Sequence, residues 1–225
     1  LSRTLQPRDR DSVSVIKESG EALLGLVNDI LDLSKVEANR IELESMHFSI
    51  EDLIRSANVL WKPKATAKDI SLEFVGHAPI SDALYGDGGR VRQILYNLIG
   101  NAVKFTASGG IRVTVSQYRE DDGRILSRFE VEDSGVGIPE EAQATLFESF
   151  TQADASISRR FGGSGLGLAI SKQLAELMGG TIGMTSESGN GSTFWFTVLT
   201  DEGDSTRASR DSTTAEQTPE CFGST

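Results

Sequence analysis

The period at which apolar residues recur changes once along this chain, and that change constrains the fold more than any other feature. From Pro7 to Glu44, Val13, Ile16, Gly20, Leu23, Val27 and Ile30 recur at alternating spacings of three and four, the pattern of a helix with a coiled-coil seam. Leu24 and Leu31 widen the stripe, so the spacing predicts one long helix set in a bundle with more than one neighbour. Beyond Glu44 the period falls to two. Ile70, Leu72 and Phe74 alternate, as do Ile111, Val113 and Val115, and a third run passes through Phe129 and Val131 to Asp133 after a hairpin loop at Glu120 to Arg124. Helical patterns cover Ile50 to Ala67 as far as an interruption at Lys62-Pro63, Asp87 to Phe105, a short stretch near Phe147, and Gly167 to Met178. Two closing strands, Thr181 to Ser186 and Ser192 to Leu199, meet at the turn Ser188-Gly189-Asn190-Gly191. Strands joined by hairpins with helices bunched between them predict an α+β fold, a two-layer α/β sandwich with one mixed sheet covered on one face. The expected division is a helical region at 1–45, a folded domain at 46–200 and a disordered tail at 201–225, the last dense in Ser, Thr, Asp and Glu.

Composition narrows the function classes. The chain has 225 residues, of which 38% are hydrophobic and 24% charged, enough apolar material for one core without staples. Its one cysteine, Cys221, excludes a disulfide framework and a thiolate metal site and fits a reducing, cytoplasmic setting. A net charge of −11 argues against a nucleic-acid partner or an anionic lipid surface. No run approaches the roughly 18 apolar residues of a membrane span, so any membrane attachment is expected outside this sequence. A chain that opens at Leu1 reads as a piece of a longer polypeptide.

On a helical wheel, Arg90, Gln93, Asn97, Asn101 and Lys104 fall within about 40° of one direction, apart from the apolar stripe of Val91, Ile94, Leu95, Leu98, Ala102 and Phe105. A solvated outer face is the ordinary alternative. Two asparagines at i, i+4 weaken it, because Asn is a mediocre helix former, whereas its amide oxygen is a hard ligand for Mg²⁺ and Lys is a point charge for phosphate.

Two glycine stretches follow that helix in the sequence. Asp133-Ser134-Gly135-Val136-Gly137 starts where the third strand ends, and a carboxylate there can accept a hydrogen bond from the exocyclic amine of adenine. Guanine presents an oxygen at the equivalent position, a mismatch worth factors of about 10⁴. An Asx-turn leaving the strand is the plainer alternative. Phe161-Gly162-Gly163-Ser164-Gly165-Leu166-Gly167-Leu168 runs into a helix, where backbone N–H groups and the helix dipole make an anion site. Its spacing is neither that of a P-loop nor that of a Rossmann dinucleotide fold. The sparsely patterned residues 139–162 between the two read as a mobile lid.

Together these residues carry a resemblance to sensor histidine kinases. Asn97-Leu98-Ile99-Gly100-Asn101-Ala102-Val103-Lys104-Phe105-Thr106 resembles their N box, Asp133 to Gly137 the G1 box, Leu146-Phe147-Glu148-Ser149-Phe150 the F box and Gly163 to Leu168 the G2 box, in family order. Gly191-Ser192-Thr193-Phe194 is similar to the closing Gly-Thr-x-Phe element, and Asp32-Leu33-Ser34-Lys35-Val36-Glu37-Ala38 resembles the join of dimerisation helix and kinase domain in hybrid kinases. The resemblance implies a Bergerat-type ATP-binding fold that uses ATP and Mg²⁺. By position, Asn101 assisted by Asn97 would hold the metal. Lys104 and the backbone of Gly163, Gly165, Leu166, Gly167 and Leu168 would hold phosphates. Asp133, with Gly135 and Gly137, would take adenine, Arg159 or Arg160 would meet phosphate charge, and Thr193 would support the adenine-side water network. Such parts position the γ-phosphate and spread its charge.

The same resemblance implies a homodimer through the helical bundle and a response-regulator receiver domain as phosphate acceptor. The family's phosphoacceptor, a His followed by an acidic residue and a basic-Thr-Pro string, is missing; His47 and His77 lack that context. The acceptor helix is therefore expected upstream of Leu1, and this chain carries its partner helix. Gly86-Asp87-Gly88-Gly89-Arg90 also departs from the usual Gly-Asp-Pro-x-Arg. Two other readings stand beside the kinase: a nucleotide-binding regulatory module without kinase activity, and a slow ATPase of the gyrase or MutL type. The last would have Glu where this chain has Asn97, and a neutral amide takes no proton from water.

Overall fold

The computed structural model describes residues 41–76, 81–148 and 165–204, together with spaced positions between Val13 and Ser34. Val13, Ile16, Leu23, Leu24, Val27, Ile30 and Leu31 are helical and all are exposed. The Ser34 hydroxyl donates to the Ile30 carbonyl at 2.8 Å, one helical turn back. The predicted helix does not reach Glu44, since residues 41–45 have no regular structure. The Glu44 N–H goes instead to Asp87 Oδ2, a carboxylate that local periodicity cannot reveal.

Among the described residues, seven strands and four helices follow: β1 (Met46–Ser49), α1 (Ile50–Thr66), β2 (Ile70–Gly76), β3 (Ala83–Gly86), α2 (Gly88–Phe105), β4 (Gly109–Arg119), β5 (Ile125–Asp133), α3 (Glu140–Gln143), α4 (Gly167–Leu177), β6 (Ile182–Glu187) and β7 (Gly191–Glu202). The sheet order is β1-β3-β7-β5-β4-β2, with β6 also on β7. Among the described strands only β2 and β4 run parallel, joined by a crossover that contains α2. The sheet is therefore mixed, as predicted.

Strand alternation gives the sheet two unlike faces. Ile111, Val113, Val115, Ile125, Phe129, Val131, Phe194, Phe196 and Val198 are buried, and Phe129 stacks on its register partner Phe196 with centroids 4.8 Å apart. The opposite face carries Arg112 against Glu132 at 3.3 Å and Arg128 between Glu130 and the Trp195 ring. Such solvated pairs add little stability, but they mark a face that no second layer covers among the described residues. Ile94, Leu95, Leu98 and Ile99 of α2 join Leu53 of α1 and Ile170 and Leu174 of α4 in the core.

Three local expectations change. Helix α1 runs through Pro63, because the carbonyl that loses its N–H partner belongs to Val59, which is 72% exposed and can turn to water. The helix expected near Phe147 lies earlier, at Glu140–Gln143, while Leu146 and Phe147 sit in turns packed on the core. The four-residue strands β1 and β3 are too short to show a period and were not anticipated by pattern. Expectations for His77, the lid including Arg159 and Arg160, Phe150, Gly163 and the tail from 205 onward lie outside the described residues.

Candidate active site

Helix α2 is the element on which the site is assembled. Asp87 is its N-cap, accepting the Arg90 N–H at 2.9 Å. At the other end the Lys68 ammonium donates to the Val103 carbonyl at 2.6 Å and to that of Lys104 at 3.3 Å, so a cation meets the negative end of the helix dipole. Arg90, Gln93, Asn97, Asn101 and Lys104 do share one face, and none is fully exposed. The solvated-face alternative therefore fails: this polar face is half-covered by protein. Burial pushes the Lys104 ammonium below its usual pKa, and a nearby phosphate would reverse that shift.

Both glycine stretches close on α2. A Cβ on Gly167, the first residue of α4, would lie 2.5 Å from Asn97 Oδ1, so a side chain there would push the Asn97 amide from its place. Asn97 Nδ2 donates to Ser171 Oγ at 2.9 Å, which fixes the amide and leaves its oxygen toward the start of α4. Gly165 and buried Leu166 lead into that start, with Leu168 partly buried behind it. On the other side, a Cβ on Gly135 would lie 2.8 Å from the Phe105 carbonyl oxygen and 2.7 Å from Asp133 Oδ1. Gly137 adopts φ +65°, and a side chain there would run into the Glu187 carbonyl.

Asp133 is 8% exposed. Burial raises its carboxyl above the ordinary range, opposed by N–H bonds from Gly135, at 2.8 Å, and Ser192. It also borders an open groove of about 320 Å³ lined by Glu132, Thr185, Glu187, Asn190, Gly191 and Thr193. Register pairs Asp133 with Ser192 and Glu132 with Thr193. Alternation thus puts Ser192, not Thr193, on the face of Asp133, where Ser192 Oγ meets Ser186 Oγ at 2.9 Å. Thr193, the expected hydroxyl, pairs with Glu132 and alternates to the opposite face. Ser171 and Lys68 were also missed, since both reach α2 from distant parts of the sequence.

Among the described residues, no group of three or more His, Cys, Asp or Glu side chains could hold a metal. The amide oxygens of Asn97 and Asn101, on the polar face of α2, are candidate donors. They suit Mg²⁺, which keeps several waters and shares its shell with phosphate oxygens.

A sheet with one covered face, an asparagine helix and two glycine stretches closing on it define a class. Residues 86–202 match the histidine kinase-, DNA gyrase B- and HSP90-like ATPase family, and the chain belongs to it. Among named relatives, sensor histidine kinase GacS of Pseudomonas protegens is 41% identical over 194 residues, covering 86% of this chain and 21% of that protein. Signal transduction histidine-protein kinase BarA of Escherichia coli is 40% identical over 201 residues, covering 89% and 22%. The chain spans about a fifth of the length of these relatives. Full-length ShkA, solved in complex with AMPPNP, superposes with a TM-score of 0.73 at 40% identity over 89% of this chain and 41% of that one. The catalytic domain of histidine kinase ThkA gives 0.54 at 28% identity, covering 69% of this chain and 95% of that domain. No helix among the described residues is long and apolar enough to cross a membrane.

Proposed function

We propose that this chain is the ATP-binding catalytic region of a hybrid-type histidine kinase. It transfers the γ-phosphoryl group of ATP to a histidine on a dimerisation helix that this sequence does not carry, for relay to an aspartate of a receiver domain. The observation that carries the reading is that both glycine stretches close on α2, Gly167 on Asn97 of its polar face and Gly135 on the backbone of its last residue, Phe105. In that arrangement Asp133 accepts the adenine amine, while Lys104 and the start of α4 neutralise phosphate charge. Asn101, with Asn97, is assigned to Mg²⁺, which supplies charge neutralisation between the phosphates. The acceptor imidazole forms a P–N bond as the bond to the departing ADP oxygen breaks. Arg159 and Arg160 are assigned to phosphate charge on the strength of their positions in the sequence. The exposed apolar positions from Val13 to Leu31 support assembly of a homodimer through a helical bundle.

Supplied with a dimerisation helix bearing the acceptor histidine, the fragment should form an acid-labile phosphate, and alone it should bind Mg·ATP without labelling. Normal binding in calorimetry with no transfer would favour the regulatory module. Phosphate release at about 1 to 10³ per second would favour an ATPase.

A further inference from the structure

The head of α2 carries an interaction that nucleotide binding leaves unused. Asp87 has both carboxylate oxygens occupied by backbone donors from different parts of the chain. Oδ1 takes the Arg90 N–H, the cap bond of its own helix, and Oδ2 takes the Glu44 N–H at 3.0 Å. Glu44 lies in the segment 41–45, which follows the N-terminal helical positions and leads directly into β1. Phe48 of β1 presses on the same helix head, where a Cβ on Gly88 would lie 2.7 Å from its ring. β1 pairs with β3 from Met46↔Gly86 to Ser49↔Ala83, and Gly86 directly precedes Asp87. The outgoing chain reaches the same pair: Gly203 N–H donates to the Ala83 carbonyl at 2.8 Å, and Asp204 N–H to His47 Nδ1 at 3.1 Å. The incoming and outgoing segments therefore share one small β pair that abuts the start of the asparagine helix.

We propose that Asp87 is a positioning residue that ties the segment arriving from the N-terminal helix to α2, so that movement of that segment is felt at Asn97, Asn101 and Lys104. A helix rises about 1.5 Å per residue and bends little over ten residues, so a displacement at Asp87 is carried to Asn97 rather than absorbed. One charge-assisted bond at a half-exposed site biases two arrangements by about fivefold, the scale of a coupling element. The nucleotide consequence rests on the function proposed above; the tie itself does not.

Asp87→Asn separates the two arms. The carboxamide keeps an oxygen for the Arg90 N–H, and Asn caps helices as well as Asp, but an NH₂ now faces the Glu44 N–H. In the full chain, amide exchange over residues 42–45 should quicken about fivefold with the melting temperature unchanged. In the unsubstituted chain, saturating Mg·AMPPNP should alter exchange over 42–45. That response should vanish in Asp87→Asn while nucleotide affinity stays within about twofold. Glu44→Pro, which deletes the donor and leaves Asp87 in place, should abolish the response at Ser45 in the same way. Unchanged exchange in Asp87→Asn overturns the tie, and a nucleotide response that survives in both variants overturns the coupling. If the unsubstituted chain binds no Mg·AMPPNP, the assigned function fails, and the nucleotide-free comparison still decides the tie.

Discussion

Two carboxylates flank helix α2, and their surroundings are opposite. Asp87 at its head is half-exposed, with both oxygens engaged by backbone N–H groups. Asp133, pressed against its tail through Gly135, is buried beside the acidic Glu132, and its ionised form is disfavoured there. The first arrangement stabilises a helix; in the second, burial disfavours the ionised carboxyl against the N–H bonds from Gly135 and Ser192, and the function proposed above has it accept a ligand donor. The contrast separates groups that build the domain from groups the domain holds ready.

Substitutions at the tail should have the larger effects. Gly135→Ala sets a methyl against the Phe105 backbone and Asp133 together, and should cost about 3 kcal/mol and abolish measurable nucleotide binding in calorimetry. Asp133→Asn should weaken Mg·ATP binding by about 100-fold yet melt at a higher temperature than the parent at pH 7. Burial raises the native carboxyl above its unfolded value, so the ionised group costs stability at neutral pH. Both states are protonated below about pH 4, so the gap in midpoint should close as pH falls, and a constant gap would refute the burial argument. Gly167→Ala meets only the end of the Asn97 side chain, and should weaken nucleotide by about tenfold with little change in melting. At the head, Asp87→Ala should lose about 1 kcal/mol of stability with the cap and leave nucleotide affinity within about twofold. An affinity loss there equal to that of Asp133→Asn would erase the distinction.

The parts legible in the sequence were those with long, strong periods. β4, β5, α2 and α4 fell within a residue or two of their predicted places, because each carries a regular apolar period, and Asp87 and Gly167 mark where the two helices start. What was not legible depended on partners far away. Glu44 leaves the helical pattern for Asp87, 43 residues on; β1 and β3 exist because each gives the other an edge; Pro63 is tolerated because Val59 faces water. The polar helix face was readable as a group, but its depth was not, since Ser171 and Gly167 cover it from the last third of the chain. Thr193, the expected hydroxyl, is a single residue from Ser192, and period-two alternation puts the two on opposite faces.

The place of β7 has a consequence for how the protein comes into being. β7, the last strand among the described residues, lies inside the sheet, bonded along its length to β5 and on its other edge to β6 and β3. During synthesis, β5 must therefore wait with one edge bare until Gly191–Glu202 has cleared the ribosome, and the core cannot close any sooner. A nascent chain stalled before Gly191 would expose Phe129 and Val131 to chaperones and to other nascent chains.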